Sequence, residues 1–454
     1  MDSTNRNSEV SEHDARSQLR ELLLSGDPRI STSSLGRLWR GGRTALGLRS
    51  QLLRGGRDAA LDVGAIGQAV RNLGELRGVA MKLGQMMSYV DQSVPEELRT
   101  MMSLLQTSAP ATPYPQVEQT LRTALGEQRA AELVAGLVKT PLAVASIGQV
   151  HHGRLPNGTE VAVKVLHPGI AQAIAADFRS ANMGRLVATI AGTSSVPQMI
   201  DEARTAFLEE CDLALEAARQ AQFGAIFDGD PTILVPAVEP AYCGPGVLVT
   251  RYLPGTGLED FLARDPSPSE RNRAGEALFR FWLRTLYCEG LFHADPHPGN
   301  FAFREDGRIV LYDFGCVRTF DPSLRRGFAC LAEATRRDDE VAMAEALAAI
   351  GGCFPGHADG RARVRRLFRG FFAPLLTSGP RAIALDEGAE GREVLKDKRA
   401  ILDLKLPART LFLFRLRFGL YAVLSRLGAV ADWSRIERGW AEEAALREGI
   451  AAAG

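Results

Sequence analysis

The sequence predicts an α+β fold of two lobes, with a helical extension ahead of them and a mostly helical second lobe. Three observations predict it. A strand hairpin runs from Gln149 to Leu166 and carries Val161-Ala-Val-Lys164 on its return. The stretch His293-Ala-Asp-Pro-His-Pro-Gly-Asn300 is followed after a short hairpin by Tyr312-Asp-Phe-Gly315. From Ser323 to Ala452 the apolar residues recur at helical spacing, apart from a Gly/Pro stretch near 351–360 and a polar break near 377–397.

The second observation gives the fold its chemistry. H-x-D-x-x-x-x-N followed by D-F-G at hairpin distance is the spacing of a kinase catalytic loop and its metal-binding turn. Phosphoryl transfer asks a protein mainly to place charges. One carboxylate faces the attacking group, and an amide oxygen and a second carboxylate hold the metal. Asp295, Asn300 and Asp313 stand at those positions. Gly307 turns the chain between strands expected at Phe301–Phe303 and Arg308–Tyr312, which carries Asn300 and Asp313 toward one metal. Pro296, Pro298 and Gly299 would make a turn unaided. A bare turn, however, does not require an Asn and two Asp in register. The predicted fold is therefore protein-kinase-like.

Composition excludes several alternatives. Hydrophobic residues make up 45% of the 454, enough for real cores. Lys plus Arg equals Asp plus Glu at 54 each, so no global charge points to nucleic acid. The cysteines at 211, 243, 288, 316, 330 and 353 form no C-x-x-C pair, which argues against a zinc site or a disulfide framework and fits a reducing compartment. The first thirty residues are polar, with no apolar signal core. The most apolar stretch, Leu411–Leu424, is interrupted by Arg415 and Arg417, so no membrane span is expected. These features predict a cytoplasmic protein, associated with a membrane at its periphery if at all.

In chain order, residues 1–30 read as a mobile tail and 31–140 as a helical extension. Residues 141–255 read as the smaller lobe and 256–454 as the larger. Arg37, Arg40, Arg43, Arg49, Arg54 and Arg57 lie in a segment, 31–57, that has no acid. It suits an anionic membrane surface or a solvated arm, and the Gly41-Gly42 and Gly55-Gly56 pairs favour the arm. Ala69, Leu73, Leu76, Ala80, Leu83, Met87 and Val90 form a continuous helical seam. Beside it runs a stripe of Gly74, Gly78, Lys82, Gln85 and Tyr89. The stripe fits close approach of another backbone, or an exposed face of small residues.

Pro110–Pro115 is a linker, followed by short helices near Gln116–Leu125 and Gln128–Leu137. Ala143, Val144, Ala145 and Ser146 make a small-residue loop ahead of the hairpin strands Gln149–Leu155 and Glu160–Leu166. Pro156-Asn157-Gly158 is the turn between them. Lys164 is a strand lysine flanked by apolar residues, the phosphate-binding lysine of a kinase small lobe. Its carboxylate partner is sought on an acidic helix over Gln198–Phe223, where Glu210 and Glu216 are the candidates and point about 120° from each other. Val247–Leu253 is an apolar strand reaching Pro254-Gly255, where the backbone of Arg251 and Leu253 would serve adenine. A helix at Arg273–Tyr287 leads into the catalytic loop. After Gly315 only Cys316–Phe320 precede the helix start at Asp321-Pro322, which leaves no room for a long activation segment.

Together these residues resemble the UbiB/AarF/ADCK family of atypical, protein-kinase-like proteins. Lys82-Leu-Gly-Gln85 matches the family's K-x-G-Q, and Ala143-Val-Ala-Ser146 its alanine-rich replacement for a glycine-rich loop. Glu210-Cys-Asp212 matches E-x-D, and Glu216 stands where the helix glutamate pairs the strand lysine. His293–Asn300 and Asp313–Gly315 complete the set, so the resemblance spans roughly Gly36 to Gly428. One position departs from the pattern: the family's Asn just after the helix glutamate is Arg219 here. The resemblance implies a two-lobed kinase fold whose extension sends the K-x-G-Q lysine into the space a peptide would occupy, with Lys82, Gln85, Glu210 and Asp212 forming a gate. It implies ATP or ADP with Mg2+, and a role in isoprenoid lipid or ubiquinone biosynthesis. On this reading Asp295, Lys164 and Glu216 are catalytic and Asn300 and Asp313 hold metal. The competing reading is a nucleotide-gated protein that presents or extracts isoprenoid intermediates without phosphoryl transfer.

Overall fold

The computed structural model describes residues 111–145, 147–179, 204–205, 207–383, 404 and 408–449. Lys82, Gln85, Ser146, the arginine-rich segment and the seam from Ala69 to Val90 lie outside them. The chain divides into two compact units, the second running essentially from Asp212 to the end.

In the first unit, helices α1 (Tyr114–Leu125) and α2 (Glu127–Ala135) precede strands β1 (Ala143–Val144), β2 (Gly148–Arg154) and β3 (Glu160–Leu166). Helix α3 (Ile170–Arg179) follows. Pro113 and Pro115 open α1 because a first helical turn has no use for their missing N–H groups. Val117, Leu121, Ala130 and Leu133 bury the inner faces of α1 and α2. The β2–β3 ladder pairs Gly148 with Leu166 through Arg154 with Glu160, and places Lys164 opposite Val150. Its turn is the one the sequence marks. Gly158 sits at φ 85°, its N–H donates to the Leu155 carbonyl, and Asn157 Oδ1 accepts from Thr159 N at 3.0 Å. Val161, Val163 and Val165 alternate into the core, as a half-buried strand requires.

The second unit begins with α4 (Leu213–Ile226), β4 (Ile233–Leu234), β5 (Val247–Arg251) and α5 (Leu258–Ala263). Here the expectation of one acidic helix over 198–223 needs correction. Helical residues stop at Glu210, Cys211 turns, and Asp212 caps a new helix by accepting from Ala214 N at 3.1 Å and Leu215 N at 3.0 Å. Asp212 competes for backbone donors better than it continues a helix. The angle between Glu210 and Glu216 drawn from a continuous helix therefore does not apply.

Helix α6 (Pro268–Arg284) starts at a capping box in which Ser267 and Glu270 satisfy each other's backbone. It buries Ala274, Leu278, Phe281 and Trp282, and a single π turn at Thr285–Glu289 adds Leu286 to the same apolar face. Next come β6 (Leu291–His293), β7 (Phe301–Phe303), β8 (Ile309–Leu311) and β9 (Val317–Thr319). Strands β7 and β8 form the expected hairpin, with Gly307 at φ 83°. The pairing of β6 with β9 is not expected from sequence, and it leaves Cys316–Phe320 bonded to the strand ahead of the catalytic loop.

The remainder is α7 (Pro322–Arg337), α8 (Glu340–Ala349), α9 (Ala358–Phe372), β10 (Arg381–Ala382), α10 (Ala408–Leu427), β11 (Val430–Ala431) and α11 (Trp433–Arg447). Asp321 caps α7 as the Asp-Pro pair predicts. The two-residue β10–β11 ladder is too short to show a period-two pattern in sequence. Among the described residues no helix is long and apolar enough to cross a membrane.

Candidate active site

The second unit assembles the catalytic loop from its buried neighbours outward. His293 ends β6 and is only 1% exposed. Its carbonyl accepts Trp282 Nε1–H from α6 at 2.9 Å. Its Nε2 lies 2.6 Å from the Asp313 carbonyl. A carbonyl can only accept, so the proton is on Nε2, and Nδ1 is left to accept from Asp295 N at 3.4 Å. One imidazole thus ties the backbone of Asp295 to that of Asp313.

Asn300 closes the loop. Its Nδ2 donates to the Asp295 carbonyl at 3.1 Å and to Asp295 Oδ2 at 3.0 Å, while its carbonyl accepts Tyr312 N at 2.9 Å. Between them His297 Nδ1 accepts from Gly299 N, and the Pro298–Asn300 turn follows. Asp295, Asn300 and Asp313 are therefore brought together, as the spacing predicts. With the Asn300 amide nitrogen facing Asp295, the donors offered by Asn300 and Asp313 are oxygens, the hard set that suits Mg2+. Among the described residues no cluster of three or more His, Cys, Asp and Glu forms an alternative metal site.

The D-F-G turn is held from α4 as well. Asp313 Oδ1 accepts from Gly315 N at 3.0 Å. Phe314 is fully buried, with its ring 4.9 Å from that of Phe223 and 5.6 Å from that of His293. Arg219, one helical turn before Phe223, donates through Nη1 to the Gly315 carbonyl at 2.9 Å. Residues four apart share a helix face, so one stripe of α4 holds both the ring and the backbone of the turn. In the sequence Arg219 stands out only as a departure from a pattern. Its contact, 96 residues away in the chain, leaves no local signal.

Two further supports have no counterpart in the sequence reading. Gly419 of α10 packs on the catalytic loop so closely that a Cβ there would lie 2.4 Å from Pro296 Cγ. Elsewhere in the second unit, the Tyr287 hydroxyl from the π turn donates to Glu437 Oε1 at 2.9 Å, and Arg417 Nη2 donates to the same oxygen at 2.8 Å. Burial raises the Tyr287 hydroxyl well above its ordinary range, with the Glu437 charge adding to the effect.

The other sequence candidates fall as follows. Glu216 is 1% exposed in the first turn of α4. Glu210 is buried, and Asp212 is the α4 cap. Arg251 directs its side chain to Glu239, Nε to Oε1 at 3.1 Å, and its backbone N–H to the Ala237 carbonyl. The Leu253 carbonyl accepts the Tyr312 hydroxyl at 2.8 Å, and burial pushes that hydroxyl up to about 12. In the first unit, Ala143 and Val144 pair with Val150 and Gln149, and Ala145 N donates to the Gly148 carbonyl, so the alanine-rich loop is a tight hairpin turn. Lys164 stands on β3, beside that hairpin's second strand.

This arrangement defines an atypical kinase-like protein. Residues 104–347 match the ABC1 atypical kinase-like domain, more than half of the chain, and the chain belongs to that family. It is 30% identical over 311 residues to the mitochondrial atypical kinase COQ8 of Saccharomyces cerevisiae, covering 64% of this chain and 60% of that one. It is 33% identical over 259 residues to the mitochondrial atypical kinase COQ8B of Rattus norvegicus, covering 55% and 48%. The chain thus spans about half to three-fifths of those relatives. A solved structure, that of Rv3197 from Mycobacterium tuberculosis in complex with erythromycin, aligns with a TM-score of 0.57 at 26% identity over 87% of this chain and 99% of that one. The two-lobed kinase-like α+β fold predicted from sequence is the fold of this chain.

Proposed function

We propose that the protein is an ATPase or a small-molecule or lipid phosphotransferase that uses a Mg-adenine nucleotide. The observation that carries the reading is the closed set of bonds joining Asp295, Asn300, His293 and Asp313. In it, Asn300 and Asp313 would hold Mg2+, which when bound neutralises charge on the transferring phosphoryl group. Asp295 presents its carboxylate to the attacking hydroxyl or water, oriented by Asn300 and by the His293 ring. Lys164 and the Ala143–Ser146 loop serve the phosphates, Glu216 is the acid assigned to orient the lysine, and backbone groups near Arg251 and Leu253 serve adenine.

The acceptor is a small molecule or water in preference to a peptide. Between Gly315 and the Asp321 cap the chain goes straight into β9, and its backbone bonds back to Gly290 and β6. That leaves no extended segment to seat a peptide. The resemblance to the UbiB/AarF/ADCK family points to an isoprenoid lipid or quinone precursor as the substrate class. Lys82 and Gln85 of the extension, with Glu210 and Asp212, would act as its gate. The arginines of 31–57 supply a peripheral, salt-sensitive affinity for anionic membrane.

The test is turnover of labelled ATP by purified protein, with and without anionic liposomes and a phenolic head-group mimic. Released phosphate alone marks an ATPase, and label in the phenol or lipid marks a phosphotransferase. Nucleotide binding with no turnover under any condition would refute the enzymatic reading in favour of a nucleotide-gated lipid-presenting protein.

A further inference from the structure

The first unit contains a chain of partly buried polar contacts around Gln149, His151 and His167. Thr112, in the linker ahead of α1, lies at one end of two adjoining branches. Its backbone N–H donates to Gln149 Oε1 at 2.7 Å, and its carbonyl accepts Gln149 Nε2 at 3.2 Å. The same amide nitrogen lies 2.8 Å from His151 Nε2, and His151 Nδ1 lies 2.9 Å from the Val138 carbonyl. Thr112 Oγ1 lies 2.6 Å from His167 Nδ1, and His167 Nε2 lies 3.2 Å from the Ala145 carbonyl. His151 and Gln149 are almost wholly buried, and His167 is 6% exposed.

The acceptors fix the tautomers. Val138 and Ala145 offer carbonyls, so His151 carries its proton on Nδ1 and His167 on Nε2. His167 Nδ1 is then an acceptor, and the Thr112 hydroxyl donates to it. The result fixes the backbone of the alanine-rich loop at two points. Ala145 N donates to Gly148 O within the turn, and Ala145 O accepts from His167.

We infer that His167 is a positioning residue for the nucleotide loop: it holds the Ala145 carbonyl away from the phosphates, with the Thr112 hydroxyl bracing the other ring nitrogen. This rests on the nucleotide reading above. Loops that cradle phosphates present N–H groups to the anion. A freed carbonyl turning toward the phosphates would repel them, and would repel three phosphates more than two. Loss of the anchor should therefore alter discrimination between nucleotides, and the loop is coupled to the linker at Thr112.

Two substitutions separate the arms of the imidazole. His167→Gln places an amide nitrogen near the Nε2 position and keeps a donor for Ala145. His167→Asn reaches only the Nδ1 position, keeping Thr112 and losing Ala145. For the parent and both variants, ATP and ADP affinities are measured with Mg2+, and hydrogen–deuterium exchange of the 143–150 peptide is measured without nucleotide. His167→Asn is expected to speed loop exchange and to weaken ATP about fivefold, the value of one net hydrogen bond, with less effect on ADP. His167→Gln stays near the parent on both. Variants that behave alike, or a His167→Asn protein with parental exchange and affinities, overturn the inference while leaving nucleotide binding intact. A parent that binds neither nucleotide overturns the nucleotide reading and the inference with it.

Discussion

Arg219 donates to the carbonyl of Gly315 at 2.9 Å, so the helix that carries Glu216 also holds the turn that carries Asp313. Glu216 and Arg219 are three residues apart on α4, and Phe223 completes the face against Phe314. A shift of α4 would therefore be felt at the D-F-G turn.

Arg219→Ala should raise the Mg2+ concentration needed for nucleotide binding, because the turn loses a charged donor. Such bonds contribute about 1.5–3 kcal/mol when well formed, and the half-buried setting places this one toward the lower end. Arg219→Lys should recover part of the effect. A magnesium titration at fixed nucleotide reads it. A variant whose magnesium dependence matches the parent's would leave Arg219 a structural residue only.

Gly419→Val should disturb the catalytic loop without touching its polar residues. A Cβ at 419 already meets Pro296 Cγ at 2.4 Å, and a proline ring fixed in a tight turn cannot yield cheaply. Overpacking of this kind costs typically about 1–3 kcal/mol. The expected result is a lowered melting temperature together with a larger loss of turnover, and Gly419→Ala should fall between parent and Val. Equal activity per folded molecule in the Val variant would contradict the packing argument.

The pair Arg417 and Glu437 should behave as a buried ion pair. Arg417 is 5% and Glu437 2% exposed, and the guanidinium also lies about 5 Å from the ring centres of Phe328, Phe371 and Phe372. Removing one partner, as in Arg417→Met, should destabilise toward the lower end of about 3–5 kcal/mol, because Glu437 stays buried with Arg336, 3.9 Å away, as its remaining cation. The Arg417→Met, Glu437→Leu double variant should lose less than the sum. Urea unfolding of the four proteins gives the cycle, and additive losses would mean that the charges do not depend on each other.

How much of this is legible in the sequence follows from how local each feature is. The catalytic loop, the D-F-G turn, the hairpin at Asn157-Gly158 and the Asp321 cap depend on residues within a few positions of one another, and spacing reveals them. The strand that carries Lys164 is legible because valines alternate along it on both sides of the lysine. The break at Asp212 escapes the pattern because helical residues lie on both sides of it, so apolar periodicity runs through the cap without a gap. Arg219, Gly419 and His167 act on partners 96, 123 and 22 residues away, so no local pattern exposes them. His167 does carry a weak signal, a polar ring directly after an apolar strand.

The proposed chemistry stands on Asp313 and Asn300 holding the magnesium of a bound adenine nucleotide. ATP binding to the parent and to Asp313→Asn across a magnesium titration tests this without an intermediate step, with melting temperatures to show that both are folded. Magnesium is expected to strengthen ATP binding by the parent, and the variant to bind ATP no better with magnesium than without it. A folded Asp313→Asn protein with the parent's magnesium dependence would contradict the assignment.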